Sequence, residues 1–220
     1  MVPAVVLALF GTTVVGCSGG DSQESAQPAP LPRLPVSHVC PGLFEGEGEK
    51  ALERVLASTQ FQIRHEEKNP DVRVVAQAME DAYQAGKEIR DMPQPVCEMS
   101  GRPTETGLAT ARMMFTAYSK HAGDPADFPG VSDSGVRVAM EQKRVYLSYD
   151  CVSSRVGSTQ EIPLRIKLLF QERWDASKGE DVLRPDYLTI THSAALAVAK
   201  ELRCANDGGL PARAVDLSKS

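Results

Sequence analysis

Between Ile162 and Phe170 the chain keeps a period of two: Ile162, Leu164, Ile166, Leu168 and Phe170 are interleaved with Pro163, Arg165, Lys167 and Leu169. Successive side chains of a strand point to opposite faces, so this run puts one apolar set on one side of a sheet and predicts that the side is covered. The same period recurs in Val136, Val138 and Met140 and in Val145, Leu147 and Tyr149, with a tight turn expected near Gln142-Lys143. Met113, Phe115 and Ala117 add a fourth strand. Antiparallel strands following one another in this way predict a meander.

The first half of the domain has a helical period instead. Gly42 to Ser58 places Ala51, Leu52, Val55 and Leu56 on one side, with Glu49, Lys50, Glu53 and Arg54 on the other. Asn69-Pro70 predicts a helix start, with Asn as cap and Pro at the first helical position, where its missing N–H has no partner to lose. Val72, Val75, Ala76, Met79, Ala82 and Tyr83 then form a stripe that Gly86 ends. Phe61 to Arg64 reads as a short strand or a connector. A last helix is expected from Thr191 to Leu202, burying Ala195, Val198, Ala199 and Leu202, with the hydroxyls beside His192 as caps. The fold class is therefore α+β, an antiparallel sheet of about four strands packed by helices.

At the other end, an apolar run from Val2 to Thr13 leads into Val14-Val15-Gly16-Cys17. The run falls short of the ~20 residues that a spanning helix needs. A small residue before a cysteine in this setting resembles the lipobox of bacterial lipoproteins. The resemblance implies a signal peptide over residues 1–16, diacylglyceryl attached to the thiol of Cys17, and cleavage between Gly16 and Cys17. It places the mature chain outside the cytoplasm, held to the cell membrane by lipid. Burial at ~0.8 kcal/mol per CH2 makes two acyl chains a stable anchor where one is marginal. Residues 17–35 then read as lipidated cysteine and flexible linker, since Ser, Gly, Gln and Pro dominate without apolar period. Such a linker has an r.m.s. reach of roughly 23 Å. The α+β domain is expected over 36–206 and a C-terminal tail over 207–220.

Removing Cys17 from the five cysteines leaves Cys40, Cys97, Cys151 and Cys204, an even set for an oxidising compartment. Three connectivities are open, and coarse geometry favours Cys40 with Cys97 and Cys151 with Cys204. In the second pair, a strand ending at Asp150 delivers Cys151 to one end of the sheet, the next strand runs to the far end, and the last helix returns. Each bond closes a loop worth roughly 4 kcal/mol in the chain-entropy model. Cys-x-x-Cys pairs and His at ligand spacing are missing from the sequence, so a zinc site is not expected.

A net charge of −5 without a basic run excludes a nucleic-acid footprint or a polybasic membrane patch. Nucleophile elbow, P-loop and dinucleotide fingerprints are absent, and no metal or cofactor is expected. The loop from Ser119 to Gly130 carries His121, Asp124 and Asp127, a candidate binding loop; its plainer reading is an exposed connection. The function expected is a non-catalytic envelope module that binds another protein, a glycan or a small molecule. The alternative is a surface hydrolase acting on an envelope substrate. A deep pocket with a perturbed carboxylate or His would favour the enzyme, and an apolar sheet face would favour binding.

Overall fold

The structure, a computed structural model, describes residues 32–63, 68–86, 96–104, 107–119, 135–173 and 180–219. Its centre is the strand that the alternation predicts, though it starts at Leu164 and not at Ile162. In Leu164–Arg173, Leu164, Ile166, Leu168 and Phe170 are no more than 1% exposed and the residues between them are half-buried. With β1 (Gln62–Ile63), β2 (Cys97–Thr104), β3 (Gly107–Ser119), β4 (Arg137–Glu141) and β5 (Arg144–Cys151), this strand, β6, makes a six-stranded antiparallel sheet.

The expected α+β class with an antiparallel sheet of about four strands is roughly right, and the meander order is corrected. The sheet has six strands, and their order is β1-β2-β3-β6-β5-β4, so β6 lies between β3 and β5. A meander would have left β6 at an edge, with a row of unpaired N–H and C=O groups beside the most apolar strand. In the centre, both of its edges are paired, Thr110↔Arg173 to Ser119↔Leu164 on one side and Arg144↔Gln171 to Cys151↔Leu164 on the other. The turn between β4 and β5 falls at Gln142-Lys143 as expected, with Gln142 at φ +44°.

The helices cover the face carrying Phe170 and Tyr149. Helix α1 is a single turn (Val36–Val39), and α2 (Glu47–Leu56) buries Ala51, Leu52, Val55 and Leu56 as its period predicts. Helix α3 (Val72–Gln84) buries Val72, Val75, Ala76 and Met79 and stops before Gly86 at φ +63°. Its start is corrected by two residues: Asp71 is the cap, its carboxylate accepting the Arg73 N–H at 2.9 Å. Asn69 serves elsewhere, on the backbone of Val39 and Glu98.

Helix α4 (Glu180–Glu201) starts well before the expected Thr191 and runs through Pro185. Thr191 is therefore not a cap. It lies fully buried in the helix, its hydroxyl donating to the Tyr187 carbonyl at 2.7 Å. Tyr149 on β5 reaches the same helix, donating to the Ala195 carbonyl at 3.2 Å, and burial raises the pKa of its phenol.

Both disulfides have the expected pairing. Cys40 joins Cys97 with Cα atoms 5.6 Å apart, and Cys151 joins Cys204 at 5.0 Å. The out-and-back route also holds. The ten residues of β6 and the 22 of α4 both span roughly 33 Å. Beyond Cys204, two 3-10 turns, Ala205–Gly209 and Ala214–Lys219, bring Leu210 and Leu217 into the core, so most of the stretch expected as a tail packs with the domain.

Candidate functional site

Because side chains alternate along each strand, covering Phe170 and Tyr149 with helices leaves the intervening residues on an outward face. Register draws Met114, Leu169, Tyr146 and Ala139 into one line across β3, β6, β5 and β4, and all four are half-buried. This apolar band has a charged row on each side. One row runs Glu98, Arg112, Gln171, Arg144, Glu141, and the other Thr116, Lys167, Ser148, Arg137.

The rows are not evenly balanced. Arg112 lies 3.7 Å from Glu98, and Arg165 lies 2.9 Å from Asp150 one step further along. With the Gln171 amide turned so that its oxygen faces Arg144, it accepts from that guanidinium at 3.1 and 3.2 Å. Arg112, Arg137, Arg144, Arg165 and Lys167 thus share the face with Glu98, Glu141 and Asp150, a cationic surplus in a chain whose net charge is −5.

Arg137 stands apart from the other cations. Val136, Val138 and Met140 pack against the core, which directs Arg137 to the outward face. It is nevertheless only 8% exposed, and its Nε is buried without a hydrogen-bond partner among the described residues. Ser148, its cross-strand neighbour, is 2% exposed. Keeping a guanidinium out of water with an unfilled donor costs free energy unless an acceptor is supplied.

Two further groups, a buried carboxylate and a buried imidazole, are of the types that acid–base chemistry uses. At the end of β6, Glu172 is buried and accepts from the Tyr187 hydroxyl, with Lys143 Nζ 3.8 Å from its other oxygen. A cavity of about 480 Å³ adjoins it, lined by Glu141 to Arg144, Gln171 and Glu172. The described lining includes no hydroxyl or thiol that the carboxylate could activate. On α4, His192 is 5% exposed and its Nε2 lies 2.7 Å from the Pro211 carbonyl, so the tautomer with hydrogen on Nε2 donates there. Burial holds its pKa below the ordinary value of 6.5. With Nε2 so occupied, His192 does not serve Ser193 as a base through that nitrogen.

Of the residues singled out from sequence, Cys40, Cys97, Cys151 and Cys204 are brought together in their pairs. Cys17 and the loop residues His121, Asp124 and Asp127 lie outside the described residues. Among the described residues no group of His, Cys, Asp and Glu is placed to hold a metal ion, and no helix is long and apolar enough to cross a membrane. Sequence reasoning passed over Arg137 and Glu172. The alternation around each gives the face it points to, but not how deeply it is covered.

Compared with known proteins, the chain matches no family model, no curated protein and no solved structure.

Proposed function

We propose that this protein is a lipid-anchored extracytoplasmic module that binds an anionic envelope partner through the outward face of its sheet and performs no catalysis. The observation that carries the reading is the apolar line Met114, Leu169, Tyr146, Ala139 set between charged rows with a cationic surplus. Apolar patches rimmed by polar residues mark interaction surfaces, and charge complementarity steers encounter and fixes register. The anchor rests on the lipobox resemblance at Val14 to Cys17.

The competing reading, a surface hydrolase, rests on the buried Glu172–Tyr187 pair and its adjoining cavity. One experiment separates the two. A photo-crosslinker is placed at Leu169, and in a second protein at Val74, which is 59% exposed on α3. Both are expressed with the native leader. The binding reading expects an adduct from position 169 that is absent from position 74 and lost when Met114 is changed to Glu. Equal labelling from both positions overturns it. Turnover of an envelope substrate that Glu172→Gln abolishes establishes the hydrolase.

A further inference from the structure

The outward face contains a guanidinium whose Nε has no acceptor among the described residues. Arg137 is 8% exposed, and among the described residues its Nε has no hydrogen-bond partner and no carboxylate forms an ion pair with it. A buried cation is normally paired or hydrogen-bonded, because the field of an unpaired charge is not relieved in a low-dielectric site. Nothing obliges an edge strand to carry arginine there. Ala139, two residues on and on the same face, shows that a small apolar residue fits the same strand.

The neighbours make the position suited to an anion. Ser148 sits directly across on β5, and Lys167 follows it on β6, so hydroxyl and ammonium lie in the same row as the guanidinium. Arg presents a planar fork of donors that matches the oxygens of carboxylate and phosphate. The carboxylates on this face are set elsewhere: Asp150 is held by Arg165, Glu98 lies beside Arg112, and Glu141 stands opposite Arg144.

Building on the binding face proposed above, we infer that Arg137, with Ser148 beside it, is a subsite for a singly or doubly charged oxyanion, a phosphate or carboxylate group borne by the ligand. Arg137 supplies bidentate donors and Ser148 a hydroxyl donor. Lys167 adds positive potential along the row. A phosphate group has two sources in an envelope, a lipid headgroup or a soluble or polymeric phosphate, and the chemistry of the subsite is the same for both.

The test uses the full folded domain with both disulfides, first with inorganic phosphate and with acetate at constant ionic strength. Wild type is expected to show a thermal midpoint that is flat below the dissociation constant and then climbs with the logarithm of the anion concentration, as ligand linkage requires. In Arg137→Met the midpoint without added anion is expected to equal or exceed that of wild type, because a lone buried charge is removed, and the response to anion to vanish. Ser148→Ala keeps the charge and is expected to weaken the response several-fold. Equal responses in wild type and Arg137→Met overturn the subsite, as does a wild type insensitive to both anions. Should Arg137→Met fail to fold, Arg137→Lys provides the comparison, with at least a ten-fold weaker apparent affinity expected from loss of the fork. An unchanged affinity in Arg137→Lys counts against the proposal.

Sedimentation with phosphatidylglycerol vesicles distinguishes the sources. Arg137-dependent co-sedimentation places the phosphate on a lipid headgroup, and a response to soluble anions alone places it on a soluble or polymeric ligand. Failure here is separable from failure of the binding-face reading. An adduct at position 169 that survives Arg137→Met removes the anion subsite and keeps the face; an Arg137-dependent anion response without any position-169 adduct does the reverse.

Discussion

The Asn69 carboxamide pairs with the backbone of Glu98 as a neighbouring strand would: its Nδ2 donates to the Glu98 carbonyl and its Oδ1 accepts the Glu98 N–H, both at 3.1 Å. Strand β1 pairs Gln62 with Ser100 and Ile63 with Met99, and this side chain pairs with the next residue of β2, beside the Cys97 bond to Cys40. The same Nδ2 also donates to the Val39 carbonyl at 2.9 Å.

Replacing Asn69 by Ala therefore leaves a backbone N–H and two carbonyls of a part-buried site without their partner. Each such loss costs roughly 1–3 kcal/mol, and solvent entering the edge offsets part of it, so a net loss of about 2–3 kcal/mol is expected in denaturant melts. Asn69→Asp keeps the shape but turns a donor into an acceptor facing two carbonyls. It should cost at least as much as Ala at neutral pH, and a smaller loss in the melt of the Asp variant would refute the strand-mimic role.

His192 makes stability depend on pH. Burial lowers its folded pKa below the ordinary value of 6.5, so the unfolded chain takes up the proton more readily than the folded one. The contribution is complete above pH 6.5 and is lost as pH falls through the window between that value and the lowered folded one. His192→Gln can still donate to the Pro211 carbonyl without titrating. Thermal midpoints measured from about pH 7.5 to about pH 5 should fall more steeply for wild type than for the Gln variant; parallel curves count against a buried neutral imidazole.

Gly48 sits inside α2, where Ala ordinarily raises stability by about 0.5–1 kcal/mol. Here a Cβ would run into the Ser193 side chain of α4. Gly48→Ala is accordingly expected to destabilise, by about 1–3 kcal/mol as overpacking does. Adding Ser193→Gly should recover more than the Ser193→Gly change costs alone, which a double-mutant cycle of unfolding free energies reads directly.

Arg155, on the connection between β5 and β6, holds two helices at once. It donates to Glu80 of α3 at 2.9 Å, and to the Glu201 carboxylate and carbonyl of α4 at 3.0 and 2.6 Å. Its side chain is 23% exposed, which lifts this network above the near-zero value of surface pairs, and Arg155→Met is expected to cost about 2 kcal/mol. Glu80→Gln in the Arg155→Met background should cost less than in wild type. Strict additivity in the cycle would argue that the two residues do not interact.

What could be read from sequence was what local period encodes. The strands around Phe115, Leu147 and Leu168, and the helices around Leu52 and Val75, follow from spacing alone because each buries one face. Cysteine parity with an out-and-back path was enough to pair Cys151 with Cys204. Strand β2 was missed because Cys97 to Thr104 includes Gly101 and Pro103, and its register with β3 shifts between Ser100 and Pro103. The start of α4 was missed for a different reason: Thr191 and Ser193 look like caps, and Pro185 looks like a break, yet the helix passes through all three. The place of β6 at the sheet's centre is a relation between distant segments, and no local pattern carries it. Burial of Arg137 is likewise a property of its surroundings.

The Leu34–Phe61 pairing, two backbone hydrogen bonds of 2.8 Å, lies six residues ahead of the covalent bond from Cys40 to the sheet. Tension applied to the chain from its N-terminal side is therefore met first by the Arg33 side chain, which donates to the Gln60 and Gly101 carbonyls, and by this two-bond clasp, and then, almost at once, by a disulfide. Only the short stretch up to Cys40 can be peeled away by such a pull. From that point the load passes directly into β2 and is shared along the sheet, so the domain is built to be tugged from that end without unravelling.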